Sequence, residues 1–359
     1  MGRRLKIILG LVITTLVIFI VLVIYFCRKK QPKDESKEMG ENFEDKVESG
    51  ELEKEDLISF QGGEKLTIHD ILDAPGEVIG KSSYGTLYKA NLERNNSIAL
   101  LRFLRPACTE KMNEILSVIH MLGVIRHPNL VPLQAFYSGP RGEKLLVHPF
   151  YNRGTLEQFV RGGKSGNHAS HEWTVICKIS TGIVKAMDHL HTALKKPIVH
   201  GNLKSKNVLL DDNYQPYISD FGLHLLLNPT TAQEMLEASA SQGYKAPELI
   251  KMRDASIESD IYSLGILLLE ILTGRAPIND NPSPGQDPYL PDSLKDVIIN
   301  QRISDTFRPG LLLVDGNKKP VKEERLLMFV QLAMACCSPS PYLRPHIKQV
   351  LKKIEEIGQ

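Results

Sequence analysis

From Ile7 to Phe26 the chain reads IILGLVITTLVIFIVLVIYF, twenty residues without a charge. At about 1.5 Å per residue a helix of that length spans roughly 30 Å, the thickness of a bilayer's hydrocarbon core. A secretory signal has a shorter apolar stretch, about 7–15 residues, and ends in a small-residue cleavage site. Tyr25-Phe26-Cys27-Arg28 is a poor one. The run reads as a retained transmembrane helix over 7–27, behind a short tail at 1–6. Arg3, Arg4 and Lys6 precede it, and Arg28, Lys29, Lys30 and Lys33 follow. The slight excess of basic residues after the span puts the C-terminal part in the cytoplasm.

Charge is distributed unevenly along the chain. Lys and Arg total 44 against 42 Asp and Glu. Residues 1–33 hold seven bases and no acid, and residues 34–56 hold eleven acids and three bases. The basic-then-acidic stretch 28–56 has too few large apolar residues to offset its ordering entropy, so a disordered juxtamembrane linker is expected. The remainder is near neutral, which argues against nucleic acid as a partner. Five cysteines (Cys27, Cys108, Cys177, Cys336, Cys337) are odd in number and lack metal-ligand spacing. That usage excludes a disulfide framework and suits a reducing compartment.

Beyond Leu57 the periodicity changes. Strand-like runs lie at Glu77–Ile79, Thr86–Ala90, Ile98–Leu104, Val131–Tyr137 and Lys144–His148, with one helical pattern at Lys111–Leu122. From Thr155 the pattern is mainly helical, at His171–Leu194, Ser259–Leu272, Arg325–Cys337 and Pro345–Ile357. A small sheet-rich lobe followed by a larger helical lobe is expected.

Four landmarks then fall in order: Gly80-Lys81-Ser82-Ser83-Tyr84-Gly85, His200-Gly201-Asn202, Asp220-Phe221-Gly222 and Ala246-Pro247-Glu248. Asn202 and Asp220 are 18 residues apart, and Asp220 and Glu248 are 28 apart. With Asp260 and Arg344 beyond them, this order resembles the eukaryotic protein-kinase domain. Phrases such as HPNLVPLQAFY, GYKAPEL and SDIYSLGILLLEILTG are most similar to plant leucine-rich-repeat receptor-like kinases, with the leucine-rich ectodomain absent. The resemblance implies an α+β, two-lobed kinase-like fold over 67–359, with an N-lobe at 67–148 and a C-lobe at 152–359. It also implies a plasma-membrane location.

The same resemblance locates the parts of a phosphotransfer site. Matching Ala99 to the alanine of the family's strand-three motif puts Leu101 at the phosphate-binding lysine, with Arg102 directed away by strand alternation. The helix-C glutamate falls on Val118, with Glu114 one turn earlier, and Leu101 and Val118 are expected to pack together. Asn202 replaces the aspartate that accepts the substrate proton, and Gly201 removes the arginine that grips a phosphorylated activation loop. Ser82 replaces the middle glycine of the phosphate loop. Gly80, Ser82, Gly85, Leu87, Ala99, His148, Pro149, Tyr151 and Leu209 match nucleotide-binding positions. Lys204 is retained, and Asn207 and Asp220 match the Mg²⁺ ligands. Weak binding of ATP with Mg²⁺ is the cofactor expectation.

With the base and the lysine both absent, phosphotransfer is expected to be impaired. The implied role is a membrane-anchored pseudokinase that binds receptor-like kinases or their substrates. A weak Ser/Thr kinase and a nucleotide-gated switch are the alternatives.

Overall fold

The protein is described here by a computed structural model over residues 56–92, 97–161, 172–251, 254–282, 287–299 and 323–359. The apolar run 7–26 and the linker up to residue 55 lie outside the described residues. Among the described residues no helix is long and apolar enough to cross a membrane.

The N-lobe is a six-stranded antiparallel sheet. Its strands are β1 (Asp56–Ser59), β2 (Gly76–Lys81), β3 (Gly85–Leu92), β4 (Ser97–Leu104), β5 (Ala135–Ser138) and β6 (Lys144–Pro149), in the order β1-β5-β6-β4-β3-β2. The N-lobe sheet therefore includes Asp56–Ser59, ahead of the expected residue 67, because Leu57 and Ile58 pair with Tyr137 and Phe136 on β5. Helix α1 (Ile68–Leu72) lies between β1 and β2 and is closed by a Thr67/Asp70 capping box.

Both faces of this sheet are covered. On one face Ile71 of α1 joins Ala90, Leu92, Ala99, Leu101, Ala135 and Val147 in a small apolar cluster. On the other, Leu104, Phe136 and Leu146 join Ile115, Ile119 and Leu122 of α2 (Met112–Gly123) in the main core. Side chains alternate between these faces along each strand, so residues 99 and 101 share one face and 100, 102 and 104 the other.

The C-lobe is helical, with α3 (Leu156–Arg161), α4 (Trp173–Asp188), α5 (Pro229–Ser241), α6 (Ile257–Thr273), α7 (Leu290–Ile299), α8 (Glu323–Cys336) and α9 (Ile347–Gly358), plus a two-stranded ribbon of β7 (Val208–Leu210) and β8 (Pro216–Ile218). Helix α6 is buried along almost its whole length and is the axis of the lobe. Gly265 lets α8 approach it: a Cβ there would lie 2.7 Å from both the Ala333 carbonyl and the Cys337 sulfur. Cys177 and Cys336, free and buried, have thiols pushed by burial up to about 12, which makes them packing groups. The fork of Arg344 on Glu248, at 2.6 and 2.7 Å, ties Ala246-Pro247-Glu248 to the segment before α9.

The expected two-lobed architecture is present. Helix α5 was not expected, since the stretch after Asp220-Phe221-Gly222 read as loop. Asn228 caps it by accepting from the Thr231 amide at 2.9 Å, and Pro229 occupies its first turn. Thr231, Met235 and Ser239 then recur every fourth residue on its buried side.

Candidate functional site

The floor of the cleft between the lobes is organised by Asp260 of α6. Its carboxylate accepts the backbone N–H groups of His200 (2.7 Å) and Gly201 (2.9 Å) and meets His191 Nε2 at 3.0 Å. Burial alone would raise its pKa, but His191 and His200 and the amide contacts hold it below the ordinary aspartate value. The loop that follows is thereby fixed, although its second residue is Gly201 at φ +74. A Cβ there would meet His224 Nδ1 at 2.9 Å, so both the backbone and the space call for glycine.

Asn202 is 3% exposed, and neither oxygen nor nitrogen of its amide has a hydrogen-bond partner. An amide at the base position accepts no proton at neutral pH. Asn207 braces the loop, donating from Nδ2 to the Asn202 carbonyl at 2.9 Å, and its own carbonyl accepts the Ser219 amide at 2.8 Å. Lys204 is half-buried, and desolvation lowers its pKa against the opposing pull of Asp220.

The cleft's central contact is an ion pair. Arg102 Nη2 donates to Asp220 Oδ2 at 2.8 Å, with the two side chains 11% and 6% exposed. This corrects the expectation for β4. Arg102 faces into the cleft, and Leu101 lies in the outer cluster beneath α1. The register explains it: Arg102 pairs with Leu87 and Leu146, whereas Leu101 pairs with Tyr88 and Val147. The expected alignment was one residue out of phase, and a one-residue slip exchanges the faces. Ala99 is likewise on the outer face, so Leu100, opposite Lys89 and His148, forms the cleft roof with Leu87. Val118 packs against the main core and lines a groove with Ser117, Met121 and Leu225, so the expected Leu101–Val118 contact is not formed. Glu114 is exposed on α2.

The phosphate-type loop turns tightly. The Ser82 amide and hydroxyl both donate to the Gly85 carbonyl, at 2.9 and 3.2 Å. Gly80, on β2, has room for a Cβ at ordinary contact with Leu87, whereas a Cβ on Gly85 would lie 2.3 Å from the Phe103 carbonyl. At the tip Tyr84 turns inward to 8% exposure, close enough to Arg102 and Asp220 for their charges to act on its hydroxyl. Arg105 holds this tip through the Ser83 carbonyl at 2.7 Å.

At the back of the cleft His148 donates from Nδ1 to the Pro132 carbonyl at 3.0 Å. Pro149 ends β6 opposite Ala99. Tyr151 packs against Tyr217 with ring centroids 4.2 Å apart, and both line a groove of about 520 Å³. Leu209 is half-buried and alternates with the fully buried Val208 and Leu210. Leu122, Leu133 and Phe221 converge with His148 and Asp220 on a cavity of about 30 Å³.

A divalent metal does not fit this arrangement. Asp220 is engaged by a guanidinium, Asn207 donates from Nδ2 to the loop, and Asn202 is an amide where the family has a carboxylate.

The segment after Asp220 is tied to the N-lobe. Glu110 N donates to the Leu226 carbonyl (3.3 Å), Asn228 N to the Cys108 carbonyl (3.0 Å) and Asn228 Nδ2 to the Ala107 carbonyl (2.9 Å). Thr231 and Ser239 are buried on α5.

Two predictions follow from this geometry. Leu101→Lys puts an ammonium into the apolar cluster under α1 and is expected to destabilise the domain by about 3–5 kcal/mol in denaturant unfolding. Leu101→Met is expected to cost less than about 1.5 kcal/mol. A neutral Leu101→Lys would contradict the register. The second concerns pH. Burial holds the imidazoles of His148 and His200 below their ordinary value, so both are neutral when folded. Unfolded, they take up protons near pH ~6.5. Stability is therefore full above that pH and falls as pH drops below it toward the depressed folded values. Unfolding free energies measured from pH 7.5 to 5 should decline, with a shallower decline in His148→Gln.

A model of the protein kinase domain matches residues 74–354. The chain is 39% identical over 358 residues to the putative kinase-like protein TMKL1 of Arabidopsis thaliana, covering 99% of this chain and 52% of that protein. It is 35% identical over 311 residues to a probable inactive receptor kinase of the same plant, covering 86% of this chain and 46% of the relative. The chain thus spans about half the length of these curated relatives. Among solved structures, the maize SIRK1 (sucrose-induced receptor kinase 1) kinase domain bound to AMP-PNP superposes with a TM-score of 0.70 at 26% identity, covering 85% of this chain and 100% of that one. The pseudokinase domain of BIR2, an immune regulator of the RLK/Pelle family, does so at 0.63 and 28%, covering 78% and 80%. The chain belongs to the protein kinase family, and within it resembles the receptor-like kinases of plants.

Proposed function

We propose that this chain is a membrane-anchored receptor-like pseudokinase that acts by binding, as a scaffold or allosteric partner of active receptor-like kinases or their substrates, with little or no phosphotransfer. The carrying observation is Asn202: the loop is fixed by Asp260 as a catalytic loop needs, yet it presents a buried, unpartnered amide where a proton acceptor belongs. Loss of general-base catalysis removes about 10²–10⁴-fold. Against the ~1–100 s⁻¹ of ordinary kinases, this leaves turnover of about 10⁻⁴–1 s⁻¹ before any loss from an unfilled metal site. The relatives named as inactive kinases, and the pseudokinase BIR2, support the same direction. The anchor is the charge-free run Ile7–Phe26, and the plasma membrane is the compartment proposed by analogy with receptor-like kinases.

A second reading, a weak Ser/Thr kinase, is favoured by one observation. Arg102 supplies a cation beside Asp220, where the sequence had suggested leucine. The test is transfer of labelled phosphate from ATP to the chain itself and to a generic protein acceptor, using the full chain beside its Asp220→Asn variant. The pseudokinase reading expects equal, background incorporation in both. Incorporation by the parent at about 1 s⁻¹ or faster, abolished by Asp220→Asn, would contradict it.

A further inference from the structure

The charges of the cleft do not match those of a metal-dependent phosphotransfer site. Among the described residues its cations are Arg102 and Lys204 and its one carboxylate is Asp220. Two further carboxylates expected of the family are missing, since Asn202 and Val118 stand in their places. The remaining one is not free to bind a metal. Asp220 Oδ2 accepts a charge-assisted hydrogen bond from Arg102 at 2.8 Å, inside a contact that excludes nearly all solvent.

A divalent ion entering here would have to take Asp220 Oδ2 from the guanidinium. Unlike lysine, arginine stays protonated, so the conflict is not relieved by loss of a proton. Arg102 itself points to the opposite kind of ligand. Its Nε is a buried donor without a partner, while the Asn202 amide leaves one donor nitrogen and one acceptor oxygen unpaired. Buried donors of this kind seek acceptors, and phosphate oxygens are strong ones. Leu87 and Leu100 share the sheet face that carries Arg102, and Leu209 is half-buried on β7.

We propose that Arg102 takes the place of the divalent metal, so that the cleft accepts a nucleoside triphosphate as the free anion, its phosphates held by Arg102 and Lys204. Excess Mg²⁺ then weakens binding, because the metal complex carries less negative charge and brings a cation that Arg102 repels. The proposal rests on the non-catalytic reading given above, and it names the ligand of that same cleft. No bond is made or broken in it.

The experiment is equilibrium dialysis of ATP against the full chain, in EDTA and in excess Mg²⁺. Unfolding, followed by the fluorescence of Trp173, the chain's single tryptophan, checks that each variant is folded. ATP is expected to bind more tightly in EDTA by about tenfold, the scale of one hydrogen bond to a charged group. Arg102→Gln is expected to lose that binding. Asp220→Asn, which keeps Arg102 and removes the competing carboxylate, is expected to tighten it severalfold; in a metal-using cleft the same change would abolish it. Binding that requires Mg²⁺, or that is lost in Asp220→Asn, overturns the proposal. So does an absence of ATP binding in both buffers, which leaves the pseudokinase reading standing. Binding that requires Mg²⁺ together with phosphate transfer overturns both.

Discussion

The contact between Arg102 and Asp220 joins the two lobes at the point where a kinase does its chemistry. One residue comes from the central strand of the N-lobe sheet and the other from the turn that follows the β7–β8 ribbon. Once the pair is formed the rest of the cleft is constrained around it. β4 must present residues 100, 102 and 104 inward, which sends Ala99 and Leu101 beneath α1. The tip of the β2–β3 turn closes over the pair through Tyr84. Asp220 itself adopts φ +63, a conformation that aspartate tolerates better than most residues, at the start of the turn that leads to α5.

The scaffold beneath the cleft retains what the fold requires, whereas the base position above it carries an amide. Asp260 still organises the backbone of the catalytic-type loop, Arg344 still clasps Glu248, and the buried Glu270 still accepts from Ser205 Oγ at 3.0 Å and is bonded to Tyr244 and Arg161. Each of these satisfies a buried charge or several backbone groups, so removing any one would strand partners inside the protein. Asn202 carries no such obligation: its amide makes no side-chain bonds, and the loop is held without it. Binding functions need the scaffold; only turnover needs the base.

Most of the fold was legible in the sequence because landmark residues and periodicity agreed. The strands and helices expected around residues 77–148 and 171–357 fall within a few residues of those found. The cleft was less legible at one position. Ile98-Ala99-Leu100-Leu101 is apolar at every residue, with Ala99, Leu100 and Leu101 buried on both faces of β4, and a run without alternation does not declare which residue faces where. The one polar residue inside the strand, Arg102, was the available signal: a buried charge needs a counter-charge, and Asp220 is the one the fold supplies. Helix α5 was masked by the family's habit of placing a loop there. Asn228-Pro229 followed by Thr231, Met235 and Ser239 is an N-cap and a one-sided stripe that could have been read directly. Strand β1 was hidden because only Leu57-Ile58-Ser59-Phe60 separates the acidic stretch from the turn beyond.

The most direct test of this account is the coupling between Arg102 and Asp220 in a double-mutant cycle. The unfolding free energies of the parent, Arg102→Met, Asp220→Asn and the double variant supply it. The ion pair predicts a coupling of about 1.5–3 kcal/mol, the range for a hydrogen bond to a charged group. Additive effects, agreeing to within about 0.5 kcal/mol, would mean that the two residues do not meet and that the cleft is built on some other contact.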